Sequence, residues 1–182
     1  MSVCGDTFNS TGSDKESLQR YGTMYDWLLR DLRDIPGLRL VELGVLHGCS
    51  LRAWEKLLPL AEIIGVDSSI QCANLAFNRA RVIVGDATKP GTFADISCAD
   101  VVIDDAGHHP QQQLASLRIL WPRTKLLYVV EDVGWIGGAA RMKFAEEVLA
   151  AIRTTITNCR SHPVIDCWTI FARDAIIFKR IP

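Results

Sequence analysis

Residues 38–50 read LRLVELGVLHGCS: an apolar run that closes on Glu42, then a turn carrying Gly44 and Gly48, then the start of a segment with Leu51, Trp54 and Leu58 on one helical face. A strand, a glycine-bearing turn and a helix in that order open a βα unit. The pattern then repeats along the chain. EIIGVD (62–67) reads as a second buried strand, and a helical stretch is expected over 72–78. RVIVGD (81–86), VVIDD (101–105) and LLYVVED (126–132) read as three more strands of the fully buried, parallel type. Between the last two lies HPQQQLASLRILW, with Pro110 at a first-turn position and Leu114, Leu117 and Trp121 on one face.

Upstream, Ser13 and Glu16 have the spacing of a capping box, and Leu18, Tyr21, Tyr25, Leu28 and Leu32 recur at helical steps, so one helix is expected from Ser13 onward. Downstream, a helix over 139–153 turns Met142, Ala145, Val148, Leu149 and Ile152 inward. CWTIFA (167–172) and AIIFKR (175–180) are separated by Arg173 and Asp174 alone, a link too short for a parallel crossover, so these two strands pair antiparallel. The expected fold is α/β: a Rossmann-like, seven-stranded sheet, mostly parallel with an antiparallel C-terminal hairpin, and helices on both faces.

With 182 residues, 48% of them apolar, the chain is expected to form a single domain over 1–182, with 1–37 an N-terminal segment and helix that help cover the site. Lys and Arg number 20 against 21 acids, and no basic tract stands out, which argues against a nucleic-acid partner. No apolar stretch approaches the ~20 residues a bilayer needs, and MSVCGDTFNS lacks the charged and apolar regions of a secretory signal. The six cysteines (Cys4, Cys49, Cys72, Cys98, Cys159, Cys167) form no C-x-x-C pair and read as thiols of a reducing, cytoplasmic setting, with no membrane partner.

Ligands of open parallel sheets bind beyond the carboxyl ends of the strands. Here every such end is acidic: Glu42, Asp67, Asp86, Asp104 with Asp105, and Glu131 with Asp132. A dinucleotide needs glycines at the first, third and sixth positions of the first turn, but Leu46 and Cys49 occupy the second and third of these places, and the acidic rim repels a diphosphate. A nucleoside bearing a cationic sulfonium and ammonium suits the rim better. Asp67 is then set to accept from the ribose hydroxyls and Asp86 to face an adenine amino group.

VELGVLHGCS, GVDSS, GDAT and the terminal hairpin together resemble, in order and spacing, the motifs of class I S-adenosylmethionine-dependent methyltransferases from Leu38 onward. The resemblance implies that the 44–48 loop holds the methionine portion, Asp67 the ribose and Asp86 the adenine. It implies a cofactor-binding set of Glu42, Gly44, Gly48, Ser50, Asp67, Asp86 and Asp104.

The stretch Asp104-Asp105-Ala106-Gly107-His108-His109, with Glu131-Asp132 one strand later, gathers carboxylates that repel one another unless a cation joins them. Oxygen donors favour magnesium, manganese or calcium over zinc. A neighbouring imidazole is suited to act as general base toward a hydroxyl. This stretch, with the N-terminal GSDKESLQRYGTMYDWLL, resembles metal-dependent sugar O-methyltransferases of macrolide biosynthesis, of the mycinamicin and macrocin type, and relatives in cephalosporin pathways. The group's Asp-Asp-Gly-Ser-His-His becomes Asp-Asp-Ala-Gly-His-His here, and Gln19 stands where the group has histidine. The larger members carry an additional N-terminal domain, which is not expected in this chain. The resemblance implies Asp105, Glu131 and Asp132 as metal ligands, His108 as base, and S-adenosylmethionine with Mg2+ or another hard divalent cation as cofactors.

The expected activity is methyl transfer to a hydroxyl of a small sugar, polyol or catechol-like acceptor, in natural-product metabolism. Two alternatives stay open: a metal-independent small-molecule methyltransferase, and a non-catalytic binding protein with the same fold. Either the segment MSVCGDTFNSTGSDK, taken as mobile, or a second subunit of a homo-oligomer is expected to complete the acceptor site. His109 is read as a helix-start residue, His47 in the cofactor loop as either near the cofactor or exposed to solvent, and His162 as carrying no signal. Trp135 in VGWIGG reads either as a hinged wall over the acceptor or as rim packing, and Trp27, Trp54, Trp121 and Trp168 are expected in the core.

Overall fold

The structure, a computed structural model, describes residues 2–133, 146–147, 167–172 and 175–180, and the chain divides into two units, Met1–Gly85 and Asp86–Pro182. In the first unit the N-terminal segment is not loose. It forms α1 (Val3–Thr11), capped by the Ser2 hydroxyl, which accepts from the Gly5 amide at 2.9 Å, and stopped by Gly12 in the left-handed region. Burial of Phe8 fixes it: the ring meets Tyr25 and Trp54 edge-on, at centroid distances of 5.8 and 5.1 Å.

The single helix expected from Ser13 is two, α2 (Asp14–Ser17) and α3 (Gly22–Leu29). Ser13 caps as expected, but Glu16 does not turn back to it. Its carboxylate instead accepts from the Gly22 amide at 2.9 Å, and Arg20 takes a φ of 56° that no helix continues. Leu18, freed from the helical face, is exposed. Gly22 also permits a close crossing, since a Cβ there would lie 2.6 Å from the Gly5 Cα.

Next come β1 (Arg39–Leu43), α4 (Cys49–Leu57), β2 (Glu62–Asp67) and β3 (Arg81–Val84). The strands are parallel in the order β3-β2-β1, with Leu43 beside Val66 and Asp67 beside Val84. The helix expected over 72–78 is a 3-10 turn over Ile70–Asn74 only. It stops because the amides of Asn78, Arg79 and Ala80 are committed to the buried Glu55 carboxylate of α4, with Arg79 also capping the carbonyls of Glu55, Leu58 and Ala61.

The second unit holds β4 (Ala99–Asp104), α5 (Pro110–Leu120), β5 (Thr124–Val130), β6 (Cys167–Ala172) and β7 (Ala175–Arg180). Its strand order is β4-β5-β7-β6: β4 and β5 run parallel, while β7 runs antiparallel to both β5 and β6, as the short Arg173-Asp174 link required. Trp121 packs edge-on against Phe178 at 5.9 Å in this unit's core. Trp54 and Trp121 are buried as expected, but Trp27 is 49% exposed, because α3 turns Tyr25, Leu28 and Leu29 inward instead. Of the expected helix over 139–153 the structure describes 146–147, which are helical; its other residues, Trp135, Cys159 and His162, and the Trp168 side chain, lie outside the described residues. Among the described residues no helix is long and apolar enough to cross a membrane.

Candidate functional site

In the first unit the turn after β1 is built around Asp67. One carboxylate oxygen accepts from the Val45 and Leu46 amides at 2.8 and 3.1 Å, and the other from the Ser69 amide at 2.8 Å. Burial pushes this carboxyl upward, yet the amides of Ser69, Val45 and Leu46 outweigh it and hold the group below the usual aspartate range. The carboxylate thus locks the turn while keeping its charge. Gly44, Leu46 and Gly48 all lie at positive φ (90°, 50° and 73°), a conformation glycine takes freely and leucine only when held. The two amide bonds to Asp67 and the Cys72 thiol, 3.5 Å from the Leu46 carbonyl, do the holding. Leu46 itself is exposed at the tip. Gly48 opens α4, and a Cβ there would lie 2.7 Å from the Phe77 ring, so close approach as well as φ excludes a side chain.

Glu42 and Ser50, both expected at the cofactor, are joined: the Ser50 hydroxyl donates to Glu42 at 2.7 Å. The other Glu42 oxygen lies 3.3 Å from the Lys15 ammonium, and both side chains are buried. Sequence reasoning misses Lys15 as the partner of Glu42, and no local feature of the sequence signals its burial.

In the second unit Asp86 accepts from the amide and the hydroxyl of Thr88 at 2.8 and 2.7 Å, bonds that hold its carboxyl below the ordinary range. Asp104, also expected at the cofactor, is buried. Its carboxylate accepts from the Ser116 hydroxyl of α5 and from the Tyr128 hydroxyl of β5 at 3.2 Å, and burial pushes it up to about 7 against those bonds.

Beyond the strand ends three side chains come together. Asp105, past the end of β4, His108, ahead of α5, and Asp132, past the end of β5, place one ligand atom each within 4.8 Å of one another. His108 Nδ1 lies 3.9 Å from the Asp132 carboxylate; the histidine is partly exposed and the aspartate largely buried. Asp132 reaches the cluster from a left-handed φ of 55°. The resemblance implied Glu131 as a third carboxylate of the set and His108 apart from the ligands; the structure brings His108 into the group, while Glu131, buried one residue before Asp132, is outside it. Two carboxylates and an imidazole fit a divalent cation of the magnesium or manganese kind: the oxygens are hard donors, and the repulsion between two acids this close is what a cation removes. His109 sits at the N-cap of α5, in keeping with its reading as a helix-start residue, and His47 is exposed in the β1–α4 turn.

No family model matches the chain, and no curated protein matches its sequence. Solved structures do match its fold. The methyltransferase MycE of the mycinamycin biosynthetic pathway, in complex with Mg and SAH, superposes with a TM-score of 0.78 at 23% identity, over 97% of this chain and 54% of that one. The chain thus spans about half the length of MycE, which has also been solved with Mg, SAH and mycinamycin VI. SAH-bound methyltransferase PaMTH1 of Podospora anserina matches all of this chain and 89% of its own at 17% identity and a TM-score of 0.55. The fibrillarin pre-rRNA processing protein of Methanococcus jannaschii gives 0.53 at 13% identity over 82% of this chain and 68% of that one. The mostly parallel strands with an antiparallel C-terminal pair are those of the Rossmann-like methyltransferase fold.

Proposed function

We propose that the protein is an S-adenosylmethionine-dependent O-methyltransferase that uses a divalent cation, magnesium or a similar hard ion, to methylate a hydroxyl of a small sugar, polyol or catechol-like acceptor in natural-product biosynthesis. The observation that carries the reading is the Asp105–His108–Asp132 cluster at the ends of β4 and β5, in a fold shared with a methyltransferase that holds Mg and SAH.

When bound, the cofactor supplies a sulfonium methyl and the cation supplies the Lewis acidity that makes an acceptor hydroxyl a better proton donor. The chain's own residues do the rest. The Asp67 carboxylate occupies the Val45 and Leu46 amides and so fixes the turn that leads into α4, whose first-turn amides, with no side-chain cap, suit a ligand carboxylate. Asp67, Asp86, Glu42, Ser50 and Asp104 are the polar groups assigned to the nucleoside and methionine portions, with Gly44 and Gly48 in the loop at the methionine portion. Asp105 and Asp132 hold the cation. Glu131, one residue before Asp132, is the further carboxylate assigned to that set. His108 turns Nδ1 toward Asp132, so Nε2 is the nitrogen that takes the acceptor's proton. Alignment supplies most of the acceleration in such a transfer, about 7–11 kcal/mol in favourable cases.

The test is calorimetric titration of S-adenosylhomocysteine into the protein with magnesium and with EDTA, followed by an assay of methyl transfer to vicinal diols and catechols. Micromolar binding and chelator-sensitive turnover support the reading. Binding with chelator-insensitive turnover removes the metal, and no binding removes the enzyme.

A further inference from the structure

The Asp132 backbone is the least relaxed part of the cluster, and one side chain of α5 is built against it. Gln113 is 2% exposed, and its amide nitrogen donates to the Glu131 carbonyl at 3.0 Å. That carbonyl belongs to the peptide joining Glu131 to Asp132. On the other side, the Glu131 amide donates to the Asp104 carbonyl at 2.9 Å. Glu131 is therefore pinned at both ends, once by strand β4 and once by a side chain, and Asp132 leaves the second pin at φ 55°. A non-glycine residue holds that conformation only when its surroundings over-determine it.

A second observation separates Gln113 from ordinary helix packing. Its amide oxygen is buried and, among the described residues, has no hydrogen-bond partner. A buried amide satisfied on one side only costs desolvation that an apolar residue of the same size would avoid. On the same buried side of α5, Leu114, Leu117 and Leu120 are apolar and Ser116 is polar, its hydroxyl bonded to Asp104. Among the described residues the bond the Gln113 side-chain amide makes is to the peptide that carries Asp132, and that bond orients the peptide.

We infer that Gln113 is a positioning residue for the cation site: through the Glu131 carbonyl it holds Asp132 in the left-handed conformation that brings its carboxylate to Asp105 and His108. This rests on the reading of that cluster as a divalent-cation site. Residues that orient metal ligands without touching the ion commonly matter 10- to 100-fold in affinity.

The experiment measures Mn2+ binding to the full chain by the loss of the free-ion electron paramagnetic resonance signal. The proteins compared are wild type, Gln113→Met, which keeps the volume and removes the donor, Gln113→Asn, which keeps the amide but shortens its reach, and Leu117→Ala as a packing control. The expected result is Mn2+ affinity roughly tenfold or more weaker in Gln113→Met, an intermediate loss in Gln113→Asn, and wild-type affinity in Leu117→Ala despite a lowered Tm. S-adenosylhomocysteine affinity should be unchanged in both Gln113 variants. Should Gln113→Met fail to fold, Gln113→Asn carries the comparison. Wild-type Mn2+ affinity in the Gln113 variants, or an equal loss in Leu117→Ala, overturns the positioning role and leaves the cation site standing. Failure of the wild type itself to bind Mn2+ overturns both.

Discussion

The Lys15 ammonium lies 3.3 Å from the Glu42 carboxylate, with the two side chains 2% and 0% exposed, so a buried ion pair ties α2 to the end of β1. Removing one partner of such a pair leaves an uncompensated buried charge, typically a loss of about 3–5 kcal/mol. Lys15→Met should therefore unfold at markedly lower urea, and Lys15→Met combined with Glu42→Gln should recover much of the loss. If the double variant is stable but binds S-adenosylhomocysteine weakly, Glu42 serves the cofactor as well as the fold. If the single variant is as stable as wild type, the pair contributes nothing.

Asp67 makes a different prediction, because its three amide bonds hold a turn and not a charge partner. Asp67→Asn replaces one acceptor oxygen with a donor and sets it against backbone amides, releasing Leu46 from its positive φ. S-adenosylhomocysteine affinity should fall at least about tenfold, or about 1.4 kcal/mol, with a smaller change in stability. Calorimetry on the purified variant measures it, and unchanged affinity removes Asp67 from the site.

These two residues also mark how far the sequence reaches. Asp67 is legible because a carboxylate closing a run such as EIIGVD can go only to a strand end, and strand ends are where ligands bind. Lys15 is not, because nothing local distinguishes a lysine that will be buried from one that will be solvated; its partner is 27 residues away (42 − 15) in β1. The strands read from 62–67, 167–172 and 175–180 coincide with β2, β6 and β7 because each run is short and rich in β-branched or aromatic residues, which favours strand over helix. The helix expected from Ser13 breaks where a tertiary bond, Glu16 to Gly22, displaces the local one. Within the cluster, Asp105 and His108 are legible from their spacing, whereas the arrival of Asp132 depends on a backbone conformation that sequence does not display.

The cluster separates two roles that substitution can tell apart. Asp105→Asn and Asp132→Asn each remove a charged oxygen from the group, so Mg2+ affinity and turnover should fall together in both. His108→Ala should lower turnover by about 10²- to 10⁴-fold if the imidazole is the base, with S-adenosylhomocysteine and Mn2+ affinity retained. Loss of Mn2+ affinity in His108→Ala would instead make the histidine a ligand. Single-turnover assays beside metal titrations distinguish these outcomes.

Glu55 sets how the first unit responds to acid. Burial raises its carboxyl, but the amides of Ala80, Arg79 and Asn78 and the Arg79 charge outweigh that, and the folded group lies below its ordinary value of 4.5. As pH falls past that value the unfolded chain takes up the proton first, so Glu55 contributes its full stability above about pH 4.5 and loses it as pH drops toward the folded value. Glu55→Gln, which has no such proton to take up, should be less stable than wild type at pH 7, and the gap between them should narrow at pH 4. Urea denaturation of both proteins at the two pH values measures the gap. A constant gap would assign the loss to packing and amide contacts and not to the charge that the amides from 78–80 surround.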